Sequence, residues 1–207
     1  MSSADSYQCS CLAGFTGINC EEIVTNVFDV AFLFDGSSYL GSDHFHQTQL
    51  FAKTLLSSYN ISQEQTNVAA AVYASNVSIG FNFTEHYSLS AVAAAIESLP
   101  FLDETPLNIE NALRVAGEDI FATGRENVPD VLVIFVSFTL SGNFVGISQA
   151  LRDKGIKIIV VGVGSGFDVE QLEVIANEPK SDHVITFSYQ DMDSMEGSVS
   201  GAVSQGI

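Results

Sequence analysis

Residues 27–36 read Val27-Phe-Asp-Val-Ala-Phe-Leu-Phe-Asp35-Gly36, a nearly continuous apolar run that ends in Asp-Gly. A run of this kind is typical of a strand buried on both faces, as the strands of a parallel sheet are. The segments that follow alternate between further apolar runs and stretches with apolar residues at helical spacing. The sequence predicts buried strands at residues 27–34, 68–73, 131–138, 156–163 and 183–187.

One segment has a different pattern. From Val77 to Phe83, apolar and polar residues alternate strictly, and the preceding Ser75-Asn76 is a short turn. Strict alternation indicates a half-buried strand, and the short turn predicts an antiparallel hairpin at a sheet edge. The fold class is therefore α/β: a doubly wound, mostly parallel six-stranded sheet with one antiparallel edge strand and helices on both faces. Ligands of such sheets bind beyond the carboxyl ends of the strands, which directs attention to Asp35.

Composition narrows the function classes. The 207 residues include 7 basic and 25 acidic side chains, a formal net charge of −18, and 46% are hydrophobic. A surface this negative repels phosphate backbones and anionic lipid. Binding to nucleic acid, and binding to a membrane through a patch of basic residues, are therefore excluded. The longest apolar run, residues 131–136, is far shorter than the roughly 20 residues of a membrane-spanning helix. We predict a chain with a packed core and no direct membrane insertion.

Several strand ends carry a family resemblance. The stretch Asp29-Val-Ala-Phe-Leu-Phe-Asp35-Gly-Ser37-Ser38 resembles the opening strand of a von Willebrand factor type A domain, and residues 131–136 and 151–164 resemble its later strands. The resemblance extends from Val27 to the C-terminus, which assigns residues 23–207 to this domain. It implies a noncatalytic extracellular adhesion or matrix-assembly module that binds a protein partner.

Many members of that family bind a divalent cation through side chains on three loops, and the resemblance implies where those positions fall. The first loop should read D-x-S-x-S; here Asp35 and Ser37 match, but Tyr39 stands at the third position. The threonine position falls on Leu107 and the third-loop aspartate on Ser137. Asp35 and Ser37 are thus the remnant of a degenerate metal-ion-dependent adhesion site. No tightly bound cofactor is predicted, and Mg²⁺ or Mn²⁺ in a remodelled site is the alternative.

The predicted ligand-binding residues surround Asp35: Tyr39, Thr105 and Ser137 with Asp35 itself. Thr105-Pro106 also has the pattern of a helix N-cap followed by proline at the first helical position. Asp103 and Glu104 precede it in the same loop and are candidates to supply a carboxylate.

All three cysteines lie near the N-terminus, in Cys9-Ser-Cys11-Leu-Ala-Gly-Phe-Thr-Gly-Ile-Asn-Cys20. This string resembles the last part of an epidermal-growth-factor-like module, which we assign to residues 1–22. The resemblance implies a Cys11–Cys20 disulfide and an upstream partner for Cys9 that the chain lacks. An odd cysteine count agrees with a missing partner. The alternative is three unrelated thiols.

Three N-x-[ST] sequons begin at Asn60, Asn76 and Asn82, each in a predicted surface loop or edge strand. Glycan acceptors together with a disulfide module predict an extracellular setting, secreted or in the ectodomain of a larger protein. We therefore expect this chain to be a piece of such a protein.

The rival from another class is a nucleotide-binding enzyme on the same sheet. Gly162-Val-Gly164-Ser-Gly166 is the candidate phosphate loop, but it lacks the third glycine of G-x-G-x-x-G and follows a late strand, so we interpret it as a structural turn. The predicted domain has no G-x-S-x-G elbow and no cysteine nucleophile. An enzyme is therefore not predicted; it would require a cofactor-sized pocket beside Asp35.

Overall fold

The computed structural model describes residues 15–16, 22–23 and 27–205. Two short strands, β1 (Phe15–Thr16) and β2 (Glu22–Ile23), pair in antiparallel orientation. Cys9, Cys11 and Cys20 lie outside the described residues. The predicted disulfide, and the domain boundary between residues 22 and 23, therefore stay predictions.

The main sheet has six strands. They are β3 (Phe28–Asp35), β4 (Thr66–Tyr73), β5 (Val77–Phe81), β6 (Asp130–Phe138), β7 (Lys157–Gly166) and β8 (Val184–Phe187). Their spatial order is β5-β4-β3-β6-β7-β8; β5 pairs antiparallel with β4, and every other pair is parallel. This arrangement confirms the predicted mostly parallel sheet with one antiparallel edge strand.

Helices cover both faces of the sheet. They are α1 (Ser42–Leu56), α2 (Leu89–Glu97), α3 (Ile109–Val115), α4 (Val145–Asp153), α5 (Val169–Ile175), α6 (Lys180–His183) and α7 (Glu196–Ser204). Helix α3 continues through a π-helical turn at Ala116–Ile120 and a 3-10 turn at Phe121–Thr123. Within residues 27–205 no helix combines the length and apolarity needed to cross a bilayer.

The sheet separates two apolar clusters because its strand residues point alternately to opposite sides. One cluster contains the inward faces of α1, α2 and α7 and a stack of phenylalanines, in which the Phe34 ring centroid lies 5.9 Å from that of Phe32 and 5.3 Å from that of Phe135. The other contains the inward faces of α3, α4 and α5. Burial of this apolar surface supplies most of the stability of the fold.

Several predicted boundaries differ from those of the structure. The strand predicted to reach Phe83 ends at Phe81, and the strand predicted from His183 begins at Val184 because His183 closes helix α6. The proposed cap at Thr105-Pro106 does not begin a helix. Helix α3 begins at Ile109, since the Asn108 side chain accepts the backbone N–H of Asn111 at 3.2 Å and so satisfies a free donor of the first turn.

The glycine-rich segment at the end of β7 is extended strand and not the turn that we predicted. A Cβ on Gly162 would lie 3.0 Å from the Phe167 ring, and one on Gly164 would lie 2.8 Å from the Tyr189 ring. One on Gly166 would lie 2.8 Å from the backbone oxygen of Ser137. These glycines therefore allow aromatic rings and a neighbouring strand to approach β7 closely.

The opposite edge of the sheet, where the parallel strands begin, is held by one buried ion pair. Asp29 is fully buried, and its Oδ1 accepts hydrogen bonds from Arg125 Nε at 2.9 Å and Nη2 at 2.7 Å. The Arg125 backbone N–H donates to Asp29 Oδ2 at 2.7 Å. The same guanidinium donates to the carbonyl oxygens of Phe28, Gln63 and Gln65. Arg125 thus joins the start of β3 to the segment before β4.

A second carboxylate, that of Asp130, lies beside this pair. Burial, and then the negative charge of Asp29, raise the pKa of Asp130 to about 6, while Arg125 lowers it. Asp130 Oδ1 is buried and forms no hydrogen bond within the described residues. Because the folded pKa exceeds the unfolded value, the folded protein binds the proton more tightly, and stability falls as the pH rises from about 4 through about 6.

We therefore expect Asp130→Asn to stabilise the domain by about 1 kcal/mol near pH 7.5, after allowance for solvent screening of this half-buried group. Near pH 4 the gain should vanish, because Asp130 is then protonated in the folded protein. Urea unfolding at both pH values measures the difference. Glu126→Gln, at an exposed acid nearby, is the matched control and should have no effect. Equal gains from Asp130→Asn at both pH values would contradict the expectation.

Candidate functional site

The five parallel strands end at one edge of the sheet, called the carboxyl edge below. The register aligns Asp35 at the end of β3 with Tyr73 at the end of β4. The loops beyond these ends are bonded to one another: Asp103 N–H donates to the Gly36 carbonyl at 3.0 Å, and Ser141 N–H donates to the Leu107 carbonyl at 2.8 Å. The loops that carried the predicted site residues therefore meet at this edge.

Asp35 lies at the centre of the carboxyl edge and is only 1% exposed. Its Oδ1 accepts the Ser37 backbone N–H at 2.9 Å and the Ser37 hydroxyl at 2.6 Å. Its Oδ2 accepts the Ser137 backbone N–H at 2.9 Å and a short hydrogen bond from the Ser137 hydroxyl. The carboxylate thus receives four hydrogen bonds from the chain itself, and it joins the first loop to the third.

These bonds decide how the Asp35 carboxylate can act. Burial raises its pKa, and the hydrogen bonds from Ser137 and Ser37 oppose that rise. A carboxylate has about four lone-pair positions, and each is already directed at a donor. A cation at Asp35 would have to displace one of these hydrogen bonds. Among residues 27–205, no group of three or more His, Cys, Asp or Glu side chains is arranged to hold a metal ion.

The remaining positions of the expected cation site do not offer suitable donors. Leu107 is fully buried in the apolar cluster beneath α3, α4 and α5. Ser37 is fully buried, and its hydroxyl is used by Asp35. The site therefore has one carboxylate, and the donor set does not fit the oxygen-rich coordination that Mg²⁺ or Mn²⁺ requires.

Tyr39 lies outside this buried cluster and stacks on Phe138. The two ring centroids are 4.1 Å apart with an interplanar angle of 16°, and the residues are 46% and 38% exposed. Sequence reasoning identified Tyr39 but missed Phe138. The available signal was its position: Phe138 directly follows Ser137 and is the last residue of β6, where the strand leaves the core. The structure thus presents an exposed aromatic pair immediately beside the buried Asp35.

Within residues 27–205 the hydrogen bonds to the Asp35 carboxylate come from Ser37 and Ser137, and not from Thr105, Glu104 or Asp103. Thr105 is exposed. The Glu104 carboxylate accepts the Ser75 hydroxyl and the Asn76 side-chain N–H, and these bonds, the Ser75 bond foremost, lower its pKa. Asp103 is exposed and has a φ of 54°. Neither acid supplies the carboxylate that the third loop lacks.

Two cavities lie away from Asp35. One of about 250 Å³ is lined by residues of α6, β8 and α7, including Asp182 and Ile185. Another of about 260 Å³ lies between α1 and the start of α7, beside Phe51 and Glu196. Neither is the pocket beside Asp35 that a nucleotide-binding enzyme would require.

The geometry agrees with the family comparison. The sequence profile described as the von Willebrand factor type A domain matches residues 29–200. The chain belongs to the von Willebrand factor type A domain family. Among solved structures, this type A domain superposes with a TM-score of 0.81 on proximal thread matrix protein 1 from the mussel byssus, described with a zinc-occupied MIDAS motif. That match has 23% identity and covers 90% of this chain and 49% of the other; it supports the fold.

Curated relatives of the type A domain come from extracellular matrix proteins. Matrilin-1 of Gallus gallus is 25% identical over 193 residues, covering 88% of this chain and 39% of the relative. Vitrin of Mus musculus is 25% identical over 176 residues, which cover 85% of this chain and 26% of the relative. The collagen alpha-4(VI) chain of Mus musculus is 26% identical over 165 residues, which cover 76% of this chain and 7% of the relative. The chain therefore spans less than half of these relatives.

Proposed function

We propose that this type A domain is an extracellular adhesion or matrix-assembly module that binds a protein partner at the carboxyl edge without a tightly held cation. The proposal includes a location outside the cell, the Cys11–Cys20 disulfide of an epidermal-growth-factor-like segment, and glycans on the sequons. Asn60 and Asn76 are exposed and Asn82 is half-buried. The matrix relatives support the class of function. They are not enzymes, and neither is the proposed module.

One observation carries the proposal: Asp35 is enclosed by Ser37 and Ser137, while Tyr39 and Phe138 are exposed beside it. A partner that approaches this edge meets the aromatic pair and not the carboxylate. Exposed aromatic side chains at the centre of a surface are typical anchors of protein interfaces. The contact proposed here is therefore direct and does not use a bridging ion.

The adhesive function is tested by retention of the domain on decellularised extracellular matrix, in EDTA and in Mg²⁺. We expect equal retention in both buffers and its loss in the double variant Tyr39→Ser/Phe138→Ser. A double variant at exposed apolar residues of other surfaces, Leu50→Ser/Ile79→Ser, is the matched control and should be retained. Absence of retention by the unmodified domain would contradict the proposed function.

The second candidate is cation-dependent binding through a remodelled site, which the zinc-occupied motif of the byssus protein favours. Calorimetric titration with Mg²⁺, Mn²⁺ and Zn²⁺ separates the two candidates. We expect no heat of binding at micromolar metal, because a cation must break a buried hydrogen bond to reach Asp35. Heat that disappears in Asp35→Asn would overturn this expectation and establish the second candidate.

A further inference from the structure

The loops around the aromatic pair carry only one sign of full charge. We define the carboxyl-edge loops as residues 36–43, 101–110, 137–145 and 164–170. They contain no lysine or arginine and six acidic residues, namely Asp43, Asp103, Glu104, Glu110, Asp168 and Glu170. Five of the six are exposed, and Glu104 is half-buried. None of them forms an ion pair among residues 27–205.

The positive charges of the chain lie elsewhere. Arg125, Lys157 and Lys180 precede the starts of strands or lie in them, at the opposite edge. The remaining four are on the flanking helices or directly follow one: Lys53, Arg114, Arg152 and Lys154. The lysines and arginines are therefore absent from the carboxyl-edge loops, and the carboxyl edge lies in a negative field.

Helix geometry explains part of this pattern but does not cancel it. Asp43, Glu110 and Glu170 lie in the first turns of α1, α3 and α5, where carboxylates interact favourably with the helix dipole. A helix N-terminus has a partial charge of only about +0.5, so each of these full negative charges is partly compensated at most. Asp103 and Glu104 are in no helix, and the edge remains acidic.

The same loops also expose apolar surface. Tyr39 and Phe138 are joined there by Val145 and Val169, which are 59% and 45% exposed at the first residues of α4 and α5. An exposed aromatic pair within a negative field matches one partner chemistry above others. A guanidinium group stacks on aromatic faces and pairs with carboxylates, and an ammonium group does so with less geometric specificity.

We propose that the carboxyl edge binds an arginine-rich segment of a protein, with a guanidinium group on the Tyr39–Phe138 pair and neighbouring cations facing Asp103 and Asp168. This inference rests on the proposed adhesive function and specifies the chemistry of its partner. It reverses the polarity of a cation-bridged contact, in which the partner supplies a carboxylate: here the domain supplies the negative charge and the partner the positive charge.

The test uses a fluorescent peptide of four Arg-Gly-Ser repeats, with Lys-Gly-Ser and Glu-Gly-Ser repeats as comparison probes. Fluorescence anisotropy is measured on the whole chain in EDTA at low and moderate salt. We expect the arginine peptide to bind, the lysine peptide to bind more weakly and the glutamate peptide not to bind. Tyr39→Ser/Phe138→Ser should weaken binding of the arginine peptide about tenfold, which corresponds to about 1.4 kcal/mol, because the cation–π contact is lost.

A charge-matched pair of variants separates local recognition from general attraction. Asp103→Asn/Asp168→Asn should preserve the backbone conformation at both positions, because asparagine tolerates positive φ and caps helices as well as aspartate does. Asp119→Asn/Glu126→Gln removes the same charge at exposed positions outside the carboxyl-edge loops. We expect only the first pair to weaken binding about fivefold or more.

Equal losses from both charge pairs, or unchanged binding in the aromatic variant, would overturn the inference. So would failure of the arginine peptide to bind while the domain is still retained on matrix, and that result would leave the adhesive function intact. If the domain is not retained on matrix at all, the adhesive function fails whatever the peptide does. The two experiments together therefore assign a failure to one proposal or the other.

Discussion

Ser137→Asp is expected to destabilise the domain by about 3 kcal/mol in EDTA and to make its stability depend on Mn²⁺. The substitution removes the hydroxyl that donates to Asp35 Oδ2 and places a second carboxylate beside the first, at a position only 5% exposed. Two carboxylates that share a buried site cannot both ionise without a large cost. Urea unfolding with and without metal measures both effects.

A divalent cation offsets this repulsion, since it would be bound by the folded protein and not by the unfolded chain. At a concentration about a hundred times its dissociation constant, Mn²⁺ should restore about 2.7 kcal/mol. Ser137→Asn is the matched control: it has the shape of aspartate without its charge, and its stability should not respond to Mn²⁺. The interpretation of Ser137 fails if the unmodified domain and Ser137→Asp respond to Mn²⁺ equally.

Arg125→Ala is expected to destabilise the domain by about 3–5 kcal/mol, because it leaves the charge of Asp29 buried and unpaired. Three backbone carbonyl oxygens lose a donor at the same time. Arg125→Lys should cost less but still more than about 1 kcal/mol, since an ammonium group cannot reproduce the forked contact with Asp29. Chemical unfolding near neutral pH gives the free energies.

Arg114→Ala is the control for Arg125→Ala. Arg114 forms a surface ion pair with Glu118 at 2.8 Å, and the two side chains are 47% and 61% exposed. Exposed i,i+4 pairs of this kind contribute about 0.3–0.5 kcal/mol. The double variant Arg125→Ala/Asp29→Asn should recover part of the loss, because it removes the unpaired charge. Similar losses from Arg125→Ala and Arg114→Ala would show that the buried pair does not hold the sheet edge.

The sheet could be predicted from sequence because each strand has a hydrophobic pattern in its own consecutive residues. The apolar run before Asp35 and the strict alternation from Val77 each depend on consecutive residues, and the structure confirms both strands. Asp35, Ser37 and Ser137 also meet as the strand order predicts, since parallel strands end at the same edge. What they do there, a carboxylate enclosed by hydroxyls, depends on side-chain directions that the sequence does not specify.

The errors arose where local patterns compete or where partners are distant in sequence. Thr105-Pro106 and Asn108 are both residues that commonly precede a helix. The helix follows Asn108, because the Asn108 side chain accepts a hydrogen bond from the backbone N–H of Asn111. Phe138 has the sequence pattern of one more core residue of a buried strand, but the structure exposes it and stacks it on Tyr39. Arg125 lies 96 residues from Asp29 in the sequence, and hydrophobic periodicity does not pair residues that are so far apart.

The bond between Asp35 and Ser137 has a consequence for control. Where a dissolved ion joins the first and third loops of such a domain, chelation or a change in ion supply can open the junction. Here the junction consists of atoms of the chain itself. These hydrogen bonds form as the chain folds, and a chelator in the surrounding fluid has no ion to remove from them. Adhesion at this edge would then be constitutive, and its regulation would have to come from the partner or from the amount of protein displayed.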